Sequence, residues 1–378
     1  MTTAARKLPG GFGYLGAAVL GFVVTAGFVL ANLMSNGHRA FNTTNDGIFW
    51  GLPIVVYDFF LLSSTGLALV ACLGLVAGIK DFMPLVKRCL WLALAALAGG
   101  GATLFLELGA PFKAMYAIPL SFQTASPLFW KVLFVVVFAI SLLLLLAKSL
   151  TATAEQLAEG AVPKVLAFTA LGVTLIAGAV FGMMGMRPFW FGGELPVVFL
   201  VESFLGAMSF GIFFTYLVYG FSADRLPAGV RKLFDGKMSG LFAIVIALHA
   251  AFVLARVSTG LWSNLDGLQV WKVISGSALF QVEIWLCILL PLVLMLKEST
   301  RRQAGMQILA SALTLVGLFI GRYEFIIGGQ MVAPFKGSWT HGLLSYTPSM
   351  VEWAMLVMAV CLANAIYAFA ESRYSMDD

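Results

Sequence analysis

Among the ionisable side chains inside long apolar runs of this 378-residue chain, eight stand out: Asp58, Glu107, Glu202, Arg256, Glu283, Arg322, Glu324 and Glu352. Six are carboxylic acids, groups whose proton affinity responds strongly to burial and to neighbouring charge, and which can therefore give or take protons during a reaction. An ionised side chain in a spanning helix costs roughly 2.5–3.5 kcal/mol on insertion scales, so such residues face a protein interior or a wet cavity and mark pathways or ligand sites. Asp58 comes seven residues after Gly51, where its run begins, which is a depth of about 10 Å at the helical rise. A structural account competes with the chemical one. Glu324 and Glu352 lie close enough to the ends of their runs to reach water, and Arg256 could neutralise Glu202 or Glu283. Asp58 has Lys113 and Lys131 as its candidate cations. His249, the one histidine within a run, reads as a hydrogen-bonded interior residue before it reads as a ligand.

Glu107 closes the third run inside the stretch LELGAPFKAMYAIPLSFQTASPLFW, residues 106–130. Antiparallel neighbours joined by a short connection pack together, so Asp58 and Glu107 are expected to face one shallow cavity. Around it Tyr57, Phe112, Tyr116 and Phe122 offer flat apolar walls, and Gln123, Thr124 and Ser126 offer hydrogen bonds, with residues 110–126 read as a loop. A quinone needs such surroundings: an apolar slot for its tail, a donor at each carbonyl oxygen, and a carboxylate to exchange the proton that accompanies each electron.

The elements that position these residues follow from composition. Hydrophobic residues make up 61% of the chain and charged residues 11%, with a mean hydropathy of +0.96, whereas roughly a quarter of a soluble domain is charged. Ten runs are long enough to span a bilayer core of about 30 Å: 11–34, 51–79, 85–109, 127–147, 164–186, 196–221, 239–262, 276–296, 305–328 and 349–370. Barrel-like alternation is absent, and segments such as FVVVFAISLLLLLA satisfy their backbone in lipid only as helices. The predicted fold is an all-α integral membrane protein with short loops and no soluble domain. The first run is too long for a removable signal and is expected to remain as a span.

The net charge of +5 is read through its distribution over the loops, not as a signal for nucleic acid. One side carries Arg6, Lys7, Lys80, Lys87, Arg88, Lys148, Lys164, Arg225, Arg231, Lys232, Lys237, Lys297, Arg301, Arg302 and Arg373; the other carries Arg39, Lys113, Arg187, Lys272 and Lys336. This asymmetry predicts cytoplasmic termini and places those eight charges in the outer half. Cys72, Cys89, Cys287 and Cys361 stand singly without cluster spacing, which argues against an iron–sulfur centre in the chain. His38 and His341 fall in outer loops, so a bis-histidine haem within the membrane lacks its second ligand.

Five stretches carry a resemblance: WGLPIVVYDFFLLSSTG (50–66), LELGAPFKAM with TASPLFW (106–130), QVEIWLCILLPLVLML (281–296), GRYEFIIGGQ (321–330) and YTPSMVEW (346–353). In order and spacing the chain resembles the polysulfide reductase membrane subunit family, NrfD/PsrC, and in particular ten-helix members such as the membrane subunit of hydrogenase-2. The resemblance implies a haem-free anchor in the bacterial inner (cytoplasmic) membrane. It implies a first helix and outer loop over 1–50, a quinone-binding four-helix bundle over 51–186, a second four-helix bundle over 187–328, and an outer loop and last helix over 329–378. It also implies menaquinone or ubiquinone as bound substrate, with a ferredoxin-like iron–sulfur subunit and a catalytic subunit on the outer side. The catalytic subunit would be a molybdopterin oxidoreductase, alternatively a hydrogenase or a multihaem cytochrome. Asp58 and Glu107 would then be the proton-exchanging residues.

Two features depart from that family. Its common Asp-Leu-Gly-Arg-Pro is here Glu107-Leu-Gly-Ala110-Pro111, and its His-Gln-Ser-Ser segment is replaced by GMMGMRPFWFGGELP (182–196), where Arg187 could restore the missing positive charge. In the second bundle Glu202, His249, Arg256, Glu283, Arg322 and Glu352 are candidates for a proton path or for structural ion pairs. The inner half offers Thr215, Tyr216, Tyr219, His249, Ser311 and Thr314. Two other functions suit ten helices with buried charge: a secondary transporter, for which LAGGGATL (97–104) is the candidate broken helix, and a structural anchor without redox chemistry.

Overall fold

Continuous apolar sequence bounded by proline and glycine becomes helix throughout. The computed structural model describes residues 12–43, 47–265, 267–333 and 342–376; Arg6, Lys7, Lys336 and His341 lie outside the described residues. The helices are α1 (Phe12–Asn36), α2 (Leu52–Leu75), α3 (Val86–Glu107), α4 (Pro111–Leu120), α5 (Pro127–Ser149), α6 (Ala154–Leu157), α7 (Val162–Gly182) and α8 (Leu195–Val218). They continue with α9 (Ala228–Leu233), α10 (Ser239–Trp262), α11 (Val270–Ser275), α12 (Ala278–Val282), α13 (Leu290–Leu296), α14 (Glu298–Arg301), α15 (Ala304–Gly328) and α16 (Met350–Arg373). Ten of the resulting segments are long and apolar enough to cross a membrane, as the runs predict, and no strand occurs among the described residues.

Pro53, Pro127, Pro163 and Pro196 stand in the first turns of α2, α5, α7 and α8. A missing N–H costs nothing there, because those first donors have no partner within the helix. The seventh and eighth spans are joined through wider π turns, at Phe234–Met238 between α9 and α10 and at Glu283–Leu289 between α12 and α13.

α2 is the most enclosed span. It packs against α3, α7, α8 and α15, while α5 lies against α7 and α3. α8 touches α10 and α15, and α13 touches α10 and α15. α1 packs along α16, which rests on α3. The end bearing residues 37–43, 47–51, 108–126, 183–194, 263–265, 267–277, 329–333 and 342–349 is called the outer end, following the charge asymmetry.

Two expectations change at this level. Residues 111–120 form the short helix α4 where a loop was expected; Pro111 in its first turn and the run of non-glycine residues after it favour a helix once a span has ended. The LAGGGATL segment lies inside an unbroken α3. Its glycines are packing surfaces: a Cβ at Gly99 would press on the Ala359 carbonyl of α16 at 2.8 Å, and one at Gly100 would meet Phe60 of α2 at 2.9 Å.

Candidate functional site

Asp58 is 1% exposed, and its carboxylate lies 3.1 Å from the Arg322 guanidinium on α15. Arg322 also hydrogen-bonds Glu202 on α8. His249 Nδ1 on α10 stands 3.8 Å from the other Glu202 oxygen, buried and without a hydrogen bond. One continuous polar chain thus crosses from α2 through α15 and α8 to α10. The Arg322 guanidinium carbon lies 4.1 Å from the centre of the Phe199 ring, so an aromatic face covers the side of the cation that no carboxylate reaches.

This pairing differs from the expected one. Lys131 is not the cation of Asp58; its Nζ lies 5.1 Å from the ring centre of Tyr57, on another face of α2. Arg256 is not the ion-pair partner of Glu202 or Glu283 among the described residues: it donates to the Phe189 carbonyl at 2.8 Å and lies over the rings of Phe189, Trp271 and Phe325. His249, grouped by sequence with the inner half, reaches the level of Glu202.

Beside the chain is a cavity of about 60 Å³ lined by Glu202, His249, Arg256, Glu283, Arg322, Glu324 and a wall of aromatic rings. A polar space of that size admits water. The Glu283 and Glu324 carboxyl groups lie beside each other, and Ser277 Oγ donates to Glu324 at 3.2 Å. Gly321 makes room for this pair, because a Cβ there would fall on the Glu283 carboxylate.

Glu107 ends α3 half-buried, with Oε2 enclosed and without a hydrogen-bond partner; its backbone carbonyl accepts from His38 Nε2 at 2.8 Å. Gly100 faces Tyr57 and Phe60 across the α2–α3 contact, so Glu107, seven residues on, lies about 10 Å nearer the outer end than Asp58 does. The two acids therefore sit at different depths. Phe112, Tyr116 and Phe122 are exposed at 71%, 57% and 73%, and Gln123 and Thr124 are also exposed, with Ser126 half-buried as the N-cap of α5. Phe105 meets Phe112 edge to face, and Trp130 Nε1 donates to the Thr124 carbonyl at 2.8 Å, fastening the segment to the helices on either side.

Gln330 acts where sequence reasoning saw no role, and Glu352 and Arg187 make contacts that sequence reasoning did not foresee. Gln330 accepts from the Phe49 and Trp50 N–H groups and donates to the Trp50 and Ile326 carbonyls, all at 2.9–3.0 Å. Glu352 caps α16 with Ser349, accepts from Asn42 N at 3.1 Å and takes the Tyr346 hydroxyl at 2.5 Å, while Tyr346 accepts from Leu52 N at 2.6 Å. Burial, and then the bond to Glu352, pushes the Tyr346 phenol well above its ordinary range. These two groups clamp the entrance of α2; Glu352 is a cap. The S/T-x-x-E signature at Ser349 was the available signal. Arg187 is part of the same clamp, its guanidinium donating to the carbonyls of Val332 at 2.7 Å and of Gly47, Gly329 and Gln330 at 3.4 Å. Burial holds Arg187 below the usual guanidinium range. At the other end Arg88, counted from sequence as a loop cation, is fully buried and pairs with Glu371 at 2.8 Å.

The family description "Polysulphide reductase, NrfD" matches residues 41–334, more than half of the chain. The chain belongs to the NrfD family. It is similar to a selenate reductase subunit of Mesobacillus selenatarsenatis, 22% identical over 401 aligned residues that cover 93% of this chain and 91% of that protein. Residues 41–334 of this NrfD protein take in Asp58, Arg322, Glu202, His249 and the Glu283–Glu324 pair, whereas Glu352 and Glu371 lie beyond them.

Proposed function

We propose that this NrfD protein is the quinone-reactive membrane subunit of a respiratory oxidoreductase complex, passing electrons between the quinone pool and an iron–sulfur partner subunit. In this reading the termini are cytoplasmic, in a bacterial inner membrane. The head group is menaquinone or ubiquinone, and it enters at the outer end between α2, α3 and α5 beneath α4. The iron–sulfur subunit docks on the outer face and joins a catalytic subunit, for which the likeness to the selenate reductase protein favours a molybdopterin enzyme.

The observation that carries the reading is the placement of Asp58: a carboxylate buried two turns below the outer end of α2 and held by an arginine that also holds Glu202. Glu107, without a partner for Oε2 and nearer the outer end, is the second proton-exchanging group. Protons leaving a quinol pass to these acids while its electrons go to the partner. In the second group of helices, three carboxyl groups (Glu202, Glu283 and Glu324) and two guanidinium groups (Arg256 and Arg322) line one cavity, and Arg322 links it to Asp58 on α2. That excess of acids supplies places to hold protons beyond Asp58, and proton movement through the cavity is the corresponding extension of the proposal.

The test is quinone-linked turnover of the complex purified through a tag on this chain. Asp58→Asn and Glu107→Gln should each lower it by at least about tenfold, within the range attributed to general acid–base groups, with dye-linked activity of the catalytic subunit retained. Full quinone-linked turnover in both variants would remove the proposal.

A further inference from the structure

Lys131 lies in the second turn of α5 and is 7% exposed. A lysine so close to the end of a spanning helix ordinarily lays its stem along the helix and carries its ammonium to water; this one is enclosed by protein. Its Nζ is 5.1 Å from the Tyr57 ring centre and within reach of the Tyr57 hydroxyl. Asp58, the next residue along α2, is held by Arg322 instead, and among the described residues no carboxylate lies within ion-pair distance of Lys131. An ammonium has three donors, and one phenol oxygen meets one of them. Burying the remainder without an acceptor costs several kcal/mol, so the fold holds a positive charge ready for an acceptor that the chain does not supply.

We propose that Lys131 donates a hydrogen bond to an oxygen of the quinone head group, with Tyr57 orienting the ammonium. The inference rests on the quinone reading above and names a residue that the reading did not contain. During quinol oxidation two electrons leave, one at a time, to the partner's iron–sulfur carrier, and two protons leave, one from each hydroxyl. Once the first proton has gone to a carboxylate, the oxygen it left is negative. Lys131 holds that oxygen by charge-assisted hydrogen bonding and stays protonated throughout, so it positions and stabilises while Asp58 and Glu107 exchange protons. In quinone reduction the same oxygen is the first to gain negative charge, and the same contact serves.

The experiment is titration of the intact detergent-solubilised complex with 2-heptyl-4-hydroxyquinoline N-oxide, followed by fluorescence quenching, for wild type, Lys131→Met and Lys131→Arg. Losing a hydrogen bond to a charged group weakens binding by about tenfold or more, so Lys131→Met should show that loss and Lys131→Arg, which keeps charge and donors, should recover much of it. Saturable wild-type binding with unchanged affinity in Lys131→Met overturns the assignment and leaves the quinone reading intact. No binding by folded wild type overturns both. Should the Met variant fail to assemble, Lys131→Gln, which keeps a donor and drops the charge, is expected to lose affinity about tenfold; wild-type affinity in that variant equally overturns the assignment.

Discussion

Arg322 on α15 lies 3.1 Å from Asp58 on α2 and also holds Glu202 on α8, so a single guanidinium ties three helices together inside the membrane. Removing one partner of a buried charge pair leaves the other uncompensated and costs about 3–5 kcal/mol. Arg322→Met should therefore destabilise the protein by about that amount, more than Asp58→Asn does. The double variant should be less destabilised than the sum of the two. Thermal unfolding of the four proteins in detergent closes the cycle; strictly additive losses would mean that the pair is not coupled.

Gly321 allows the Glu283 carboxylate to lie where any side chain at that position would project. Gly321→Ala is expected to displace Glu283 from Glu324 and to cost about 1–3 kcal/mol through overpacking. Two buried carboxyl groups side by side disfavour ionising together, so the difference infrared spectrum is expected to lose a protonated-carboxyl band in this variant; an unchanged band would show that the pair survives.

The clamp at the head of α2 has a pH signature. The Tyr346 phenol is raised above its ordinary value of about 10 by burial and by Glu352. A group held protonated in the folded state contributes its full stability below the unfolded value and loses it as pH climbs above that value. Wild type should thus be insensitive to this group up to about pH 10 and lose stability beyond it. Tyr346→Phe should be destabilised by about 1–2 kcal/mol at neutral pH and show a smaller alkaline loss. Identical alkaline unfolding profiles for the two proteins would contradict the clamp.

Arg88 and Glu371 are buried at the opposite end, with Tyr367 donating to the same Glu371 oxygen at 2.8 Å. Glu371→Gln should lower stability by about 3–5 kcal/mol, as expected for breaking a buried pair, while leaving quinone-analogue affinity unchanged. Weakened affinity with unchanged stability would mean that this end takes part in the chemistry.

The ten spans were legible because the length and continuity of apolar sequence determine helices in lipid, whatever their neighbours are. The depth of Asp58 and Glu202 followed from counting residues along their runs. Their partners did not, because pairing depends on how each helix is rotated about its axis, and a nearly all-apolar helix carries little signal for that rotation. Asp58 meets a cation 264 positions away, in Arg322, and not Lys131. Gln330 was invisible for another reason: its four hydrogen bonds go to backbone groups, which carry no sequence signature. Arg88 was read as a loop cation because the fold of α16 over α3, not the local sequence, encloses it.

The central claim is that a quinone head group sits between α2, α3 and α5, and photoaffinity labelling of the intact complex with an azidoquinone tests it most directly. Peptide mapping should place the label within residues 50–66 and 106–131, with labelling suppressed by excess unlabelled quinone and reduced in Asp58→Asn. Suppressible label confined to α10, α13 or α16, or no suppressible label at all, would contradict the account.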